Sequence, residues 1–231
     1  VSITSDFKNK GYLPVAMVNF LALLGWAPAP LKTATGKMEY KEIFDLQDLL
    51  GEFSLEGVEK HPAIFDKEKL DYLNGYYLRQ LQLGELAEKA TPFIKNQKAL
   101  LQNKELYLKA LSLVQTRLKR LDEVEEAISF FFALSDYPAS LLVPKGATQS
   151  QVKSLLEKAL PELEKITFDN DNLEKCLRGL AQQEKITAHL ILWPVRVALT
   201  GKEASPGVFE MLEVLGKEES IGRLQQALKK L

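Results

Sequence analysis

Residues 186–199 have the sequence ITAHLILWPVRVAL, and this stretch says most about the class of fold. It is apolar nearly all round, whereas a helix at a protein surface carries a single apolar stripe. The pattern therefore predicts a helix that is buried on every side, bent at Pro194 and ended by Thr200 and Gly201. Such a helix needs other helices around it.

Two more helices are predicted downstream. Ser205 is suited to an N-cap and Pro206 to the first helical position, and Gly216 is placed to end this helix after Leu215. The last helix is amphipathic, with an apolar stripe made by Ile221, Leu224, Leu228 and Leu231.

Upstream of this stretch, helix-start signals recur and strand alternation is scarce. Pro14 is placed as the first residue of a buried helix over residues 15–24, which Gly25 would end. Side chains that commonly cap helices precede further periodic segments, at Asp45, Asp66, Asn103 and Thr148. The fold class predicted from these signals is all-α.

Composition limits the function only loosely. The 231 residues are 46% hydrophobic and 26% charged, which is typical of a globular protein with a core. The formal net charge is −1, so any RNA-binding face must be a local basic patch. A single cysteine, Cys176, excludes an internal disulfide and a cysteine zinc cluster, and it favours a reducing cytoplasm. No membrane span is predicted, because the apolar run at residues 15–24 is too short.

Motifs for catalysis are missing from the sequence. It contains no glycine-rich phosphate loop, no G-x-S-x-G elbow and no H-E-x-x-H pair. The two histidines, His61 and His189, are far apart, and His189 is interpreted as a core residue. The acidic run at Glu123, Glu125 and Glu126 is interpreted as a solvated helix face. These observations favour a binding or scaffold module, with no catalytic, cofactor-binding or metal-binding residues.

Three separated stretches resemble the glutamyl-tRNA synthetase family. The first comprises GYLP at 11–14 and NFLALLGW at 19–26, and the second comprises FSLE at 53–56, PAIFD at 62–66, KL at 69–70 and LN at 73–74. The third comprises PVRVALTG at 194–201, SPGVFE at 205–210 and LGKE at 215–218. Their order agrees with the family and anchors both ends of the chain, while the middle, 98–167, is weakly marked. The helical pattern argues against glutaminyl-tRNA synthetase, whose C-terminal part is built from β-barrels.

The resemblance implies an organisation in three parts. An irregular helical stem-contact domain is expected over 1–83, followed by helical anticodon-binding subdomains over 84–142 and 143–231. Weak points in the sequence agree with this division, at Leu83-Gly84 and in the Pro-, Ser- and Gly-rich stretch 135–148.

The resemblance also implies a function for a longer parent protein. That parent would attach glutamate to tRNA(Glu) with ATP and Mg²⁺. The family's nucleotide-binding fold and K-M-S-K-R-type loop are missing here, and the chain starts at Val1 rather than Met, as expected for a fragment. We therefore expect no glutamate-dependent ATP–pyrophosphate exchange from this chain alone. The expected partner is tRNA(Glu), bound by a cytoplasmic monomer without DNA or membrane binding.

Arg196 is the first candidate for contact with RNA. It is the only charge in an apolar helix, so its guanidinium needs a carboxylate, backbone carbonyls or a ligand. By position it matches a family arginine that contacts the anticodon. The alternative is a structural salt bridge.

The helix start that follows supplies four more candidates: Ser205, Pro206, Val208 and Phe209. In the family, the matching residues line the anticodon pocket. Free backbone N–H groups at a helix start suit polar RNA groups, and Phe209 is suited to stacking on a base. The alternative is that Val208 and Phe209 only dock the helix on its neighbour.

Arg117 is the third candidate. A helix opened by Asn103 is predicted to continue to Leu121, and Arg117 then falls within its apolar stripe of Leu106, Ala110, Leu113, Val114, Leu118 and Leu121. The register of the resemblance places Arg117 near the family's arginine for the third anticodon base, with Arg120 as the alternative. Arg79 is a candidate for phosphates of the tRNA stem, as are Lys67 and Lys69, which are more simply explained as solvated lysines.

Two rival functions stay open from the sequence. A helical protein-interaction scaffold would keep the fold without binding RNA. A stand-alone ligase would need phosphate-binding and acid–base residues.

Overall fold

The computed structural model describes residues 3–32, 35–58, 64–95, 97 and 102–231; for residues 3 and 4 it describes the backbone only. The predicted all-α class is confirmed: within these residues the strands are confined to one hairpin of β1 (Leu31–Lys32) and β2 (Met38–Glu39). The chain folds into two compact units. The first unit comprises 1–95 and 115–125, and the second comprises 96–114 and 126–231.

The first unit is built on a pair of packed helices. Its described α-helices are α1 (Pro14–Leu23), α2 (Leu46–Glu52), α3 (Lys67–Gln80) and α4 (Leu83–Ala90). The α1 and α3 helices bury a core of Tyr12, Phe20, Leu70 and Leu73. A smaller cluster holds α2 against the segment after α1, through Trp26, Phe44 and Leu49.

Local capping chemistry fixes where these helices begin. Pro14 is the first residue of α1, Asp45 forms a capping box with Asp48, and the Asp66 carboxylate accepts a hydrogen bond from the Lys69 backbone N–H. These three predicted starts are confirmed. The predicted burial of this helix applies to one face only, since Ala16 and Phe20 are buried whereas Val18 and Leu21 are exposed.

The second unit surrounds one central helix. Its helices are α5 (Lys104–Val114), α6 (Val124–Phe132, which starts in the first unit), α7 (Gln149–Lys165), α8 (Asn170–Gln183), α9 (His189–Thr200), α10 (Val208–Leu215) and α11 (Lys217–Lys230). The α9 helix packs against α7, α8, α10 and α11, and from Pro194 onward only Arg196 is not buried. Gly201 ends α9 at φ 66°, a left-handed conformation that glycine adopts without strain.

Three predicted helix boundaries are corrected by the structure. The helix opened by Asn103 ends at Val114 rather than Leu121. The α9 helix begins at His189 rather than residue 186, and His189 is therefore exposed on a first turn instead of buried. The α10 helix begins at Val208 with Gly207 as its N-cap, two residues later than predicted from Ser205.

The three predicted ranges, 1–83, 84–142 and 143–231, stay a prediction, because the two compact units do not test a division by function. Gly84 lies inside α4, and the stretch 135–148 connects α6 to α7 within the second unit.

Candidate nucleic-acid interface

Arg196 carries an unsatisfied donor in the second unit. Its side chain is half-buried on α9, and its Nε is buried without a hydrogen-bond partner among the described residues. No ion pair to Arg196 forms in the described part of the chain either, so the salt-bridge alternative is not met there. Because leaving a buried donor unpaired costs free energy, this arginine is suited to a ligand that supplies the acceptor.

The start of α10 is partly core and partly surface. Pro206 and Val208 are buried, so the Val208 side chain docks the helix on its neighbours. Ser205 is half-buried just before the helix. The carboxylate of the exposed Glu210 lies against Gly207, the N-cap residue. It is so close that a Cβ added to Gly207 would come within 1.9 Å of the Glu210 Oε2 atom. This carboxylate makes the helix start better suited to the carbonyl groups of bases than to phosphates.

Phe209 presents part of its ring together with a cation that was not predicted from the sequence. The guanidinium of Arg178, on α8, lies over the Phe209 ring at 5.7 Å from its centroid, while its Nε donates to Glu174 at 2.6 Å. An arginine over a half-exposed aromatic ring is a surface on which unpaired bases stack. In the sequence, Arg178 is one of many i,i+4 partners of a glutamate, and nothing links it to Phe209.

Arg117 lies in the first unit on a short 3-10 turn over Gln115–Arg117, and its side chain is exposed. The argument that it interrupts an apolar helical stripe is therefore wrong, since α5 has already ended. Its predicted role towards the anticodon stays a prediction.

Arg120, the alternative to Arg117, is occupied by carboxylates. Its guanidinium lies 3.5 Å from Asp71, 3.0 Å from Asp122 and 3.1 Å from Glu123. A half-buried arginine with three acidic neighbours has little capacity left for RNA. The choice between Arg117 and Arg120 that the sequence left open stays a prediction.

The other predicted cations lie on α3. Arg79 is exposed in its last turn. Lys67 lies 3.9 Å from Asp71, and Lys69 lies 3.1 Å from Glu42. Lys67 is exposed and Lys69 is half-buried, and both form surface ion pairs, which contribute little to stability.

The acidic run has a structural role rather than a metal-binding one. Glu125 accepts a hydrogen bond from the Lys95 backbone N–H, and Glu123 accepts one from that of Lys119. The described residues contain no group of three or more His, Cys, Asp or Glu side chains that could hold a metal ion. Nor do they contain a helix long and apolar enough to cross a membrane.

A cleft on the second unit is lined by α7 and α8, including Glu162, Lys175 and Cys176. Burial and then the nearby Glu162 raise the pKa of the Cys176 thiol, so little of it is thiolate at neutral pH. This cysteine is therefore a poor nucleophile.

Comparison with known proteins gives a consistent family. Residues 85–228 match the family described as "Anticodon binding domain". The chain is 36% identical over 230 residues to the glutamate–tRNA ligase of Clostridium kluyveri, covering 98% of this chain and 45% of that protein. The corresponding enzyme of Clostridium novyi is 38% identical over 234 residues, with 98% and 46% covered. The chain thus spans somewhat less than half the length of these relatives.

Solved structures agree with the sequence comparison. A glutamate–tRNA ligase from Elizabethkingia meningosepticum, crystallised with its amino acid, superposes with a TM-score of 0.78 at 26% identity, covering 97% of this chain and 42% of that one. The enzyme from Elizabethkingia anophelis gives a TM-score of 0.75 at 25% identity, with 96% and 42% covered.

Proposed function

The chain belongs to the anticodon-binding-domain family, as the region homologous to part of the glutamate–tRNA ligases, and on this premise we propose that it recognises tRNA(Glu) through the anticodon and stem. The observation that carries the proposal is the buried, unpartnered Nε of Arg196 on α9. The side chain as a whole is only half-buried, so a splayed-out base that docks on Arg196 can supply an acceptor to a guanidinium that the protein leaves incompletely paired. Phe209 and Arg178 supply a stacking surface in the same unit.

The parent protein would carry the chemistry. We propose that it attaches glutamate to tRNA(Glu) with ATP and Mg²⁺, which bind outside this chain, and that it works in the cytoplasm as a monomer. The described residues hold no cluster fit for a metal ion, so no catalytic step is assigned to them. Their part is to bind and orient the tRNA.

Binding to tRNA is the first test. We expect saturable binding of tRNA(Glu) in filter binding, tighter than that of tRNA(Gln), with an observed affinity that falls as salt rises, because phosphate contacts release counterions. Absence of binding at low salt would favour the protein-interaction scaffold. Equal binding of both tRNAs with a steep salt dependence would mean non-specific attraction only, and the proposal would be rejected.

The third anticodon base gives a sharper test of Arg117. Glutamate tRNAs carry cytosine there, whose pairing edge offers two acceptors, and glutamine tRNAs carry guanine, whose edge offers two donors and one acceptor. Arginine only donates, so it matches cytosine and opposes guanine. We expect the preference for cytosine, on the order of tenfold to a hundredfold, to collapse in Arg117→Gln, because an amide both donates and accepts. The measurement is the ratio of dissociation constants for two tRNAs that differ only at this base.

Arg120→Gln is the matched control for this experiment. Its side chain is held by Asp71, Asp122 and Glu123, so the substitution should lower stability and reduce the ratio much less than Arg117→Gln does. A ratio that collapses in Arg120→Gln and survives in Arg117→Gln would show that the register is shifted by three residues. A ratio unaffected by either substitution would end the assignment of the third base to this segment.

A further inference from the structure

One face of α3 holds the segment that carries Arg117. Asp71, Asn74, Gly75 and Leu78 follow the spacing i, i+3, i+4, i+7 and therefore share a side of the helix. All four approach residues 115–120 in the first unit. The segment returns to this unit between stretches that belong to the second one.

On the N-terminal side of Arg117, Gln115 fastens the segment to the end of α3. Its Nε2 donates to the backbone carbonyl of Leu78 at 3.0 Å and to that of Leu81 at 2.9 Å. The Leu78 carbonyl also accepts from the Leu81 backbone N–H at 3.4 Å, so the Gln115 amide adds to the bonds that close the end of this helix. This contact also explains why α5 stops at Val114, because the side chain of the next residue is committed to α3.

On the C-terminal side, Asn74 makes two bonds from a fully buried position. Its Oδ1 accepts from the Leu13 backbone N–H at 2.7 Å, and its Nδ2 donates to the Lys119 carbonyl at 2.6 Å. One amide therefore joins three parts of the first unit. Buried polar groups that are satisfied at both ends fix relative position more strictly than apolar contacts do.

Close backbone approach makes the fit tight at Gly75. A Cβ on this residue would lie 3.1 Å from the Leu118 carbonyl oxygen and 3.2 Å from Nη1 of Arg79, so a side chain there requires these neighbours to give way by a few tenths of an ångström. The segment is fastened again further on, where the Leu121 backbone N–H donates to the Gly11 carbonyl at 3.3 Å.

The ion pair between Arg120 and Asp71 is a third contact of the segment with α3, after those of Gln115 and Asn74. Asp71 receives both the Arg120 guanidinium and the Tyr12 hydroxyl. Burial, and next the bond to Asp71, raise the pKa of the Tyr12 phenol, so it stays a hydrogen-bond donor at neutral pH. Arg117 thus lies between Gln115 and Lys119, each tied to α3.

We propose that Asn74 and Gly75 are positioning residues for Arg117. They hold the backbone of the segment that carries Arg117 against α3, and the position of that backbone determines how well Arg117 discriminates the third anticodon base. The proposal rests on the function proposed above. It adds that specificity depends on two residues that touch no RNA, because a polar reader works only when its backbone is held within a fraction of an ångström.

A double-mutant cycle tests this coupling. We expect Asn74→Ala to reduce the preference for cytosine over guanine at the third anticodon base by on the order of tenfold, and to change it no further when Arg117 is already glutamine. A merely destabilising substitution would instead weaken the binding of both tRNAs alike and leave the preference of the Arg117 protein unchanged. Urea unfolding of each variant, with binding measured well below its midpoint, keeps loss of folding apart from loss of specificity.

Asn19→Ala is the matched control. Asn19 is also a fully buried asparagine of the first unit, and its Oδ1 accepts from the Phe44 backbone N–H at 3.0 Å and from the Tyr77 hydroxyl at 2.8 Å. It makes no bond to residues 115–125 among the hydrogen bonds that the structure describes. We expect a comparable loss of stability with an unchanged base preference.

Gly75→Ala avoids the risk that Asn74→Ala fails to fold. Alanine favours a helix interior, so stability should change little, while its methyl group displaces the Leu118 carbonyl and weakens the preference. Gly84→Ala, with open space around the added methyl group, should leave the preference intact.

The outcomes separate the two proposals. Wild-type protein without any base preference would remove the proposed function and this inference with it. A wild-type preference lost in Arg117→Gln but retained in both Asn74→Ala and Gly75→Ala would overturn the positioning role alone. Loss of the preference in Asn19→Ala would overturn it as well.

Discussion

Replacing Arg223 with methionine is expected to lower the free energy of unfolding by about 3 kcal/mol, the largest stability effect anticipated for a single side chain here. Arg223 is 4% exposed, and its guanidinium donates to the carbonyls of Phe130 and Leu199, in the last turns of α6 and α9. Methionine fills much of the same volume, so little cavity forms. Stability is lost because the two buried carbonyls no longer have a hydrogen-bond donor. They belong to the backbone, so no substitution can replace them by apolar groups. Urea denaturation followed by circular dichroism measures it, through a lower midpoint at an unchanged slope.

Arg178→Met is the control for this prediction. Arg178 and Glu174 form the same i,i+4 pair at 2.6 Å as Arg223 and Glu219 do, but Arg178 lies at the surface. Removing it should cost less than about 1 kcal/mol. If both variants lost the same stability, the buried carbonyl bonds would not be the source of the effect.

Replacing Arg196 with methionine is expected to weaken tRNA(Glu) binding by on the order of tenfold to a hundredfold while leaving the free energy of unfolding unchanged or slightly higher. Binding and stability are expected to respond differently. The buried Nε has no hydrogen-bond partner among the described residues, so its removal breaks no bond in the folded protein. Binding, in the proposed role, loses the guanidinium that contacts the RNA. Filter binding and urea denaturation of the same preparation measure both quantities.

Lys158→Met controls for the loss of one positive charge from the second unit. Lys158 is paired with Glu184 at 2.6 Å on the surface, so its replacement should change tRNA affinity only slightly. A marked loss of stability in Arg196→Met with unchanged affinity would assign Arg196 a structural role and contradict the proposed one.

Sequence determined where many of the helices begin. The caps at Asp45, Asp66 and Thr148 are confirmed, each with its side chain accepting from a backbone N–H three residues later. Such bonds join neighbours along the chain, so they can be predicted without knowing what else the helix contacts. The same holds for Gly201 at the end of α9, where only local backbone geometry matters.

The family was also determined by the sequence, because its motifs lie in the stretches that the comparison later matched. Site residues were predicted less well. Arg196 was found from a single charge in an apolar helix, which requires only local periodicity. Arg178 was missed, because its contact with Phe209 joins residues on different helices.

Only the tertiary structure decided the break after Val114. The apolar positions continue at helical spacing to Leu121, and Leu118 and Leu121 are indeed buried. Yet the chain leaves the helix, because Gln115 bonds to the end of α3 and the Lys119 carbonyl bonds to Asn74. Periodicity records which side chains are buried, but it does not record against which partner. Arg117 was therefore placed in a stripe that does not exist.

The two Glu–Arg pairs show the same limit. Glu174–Arg178 and Glu219–Arg223 have identical spacing on amphipathic helices, so sequence alone gives them the same exposed, weakly stabilising role. Packing leaves Arg178 at the surface over an aromatic ring and buries Arg223 against two helix ends. The physical reason is that spacing fixes which residues of one helix meet, whereas burial depends on which other helix ends lie within reach of the side chain.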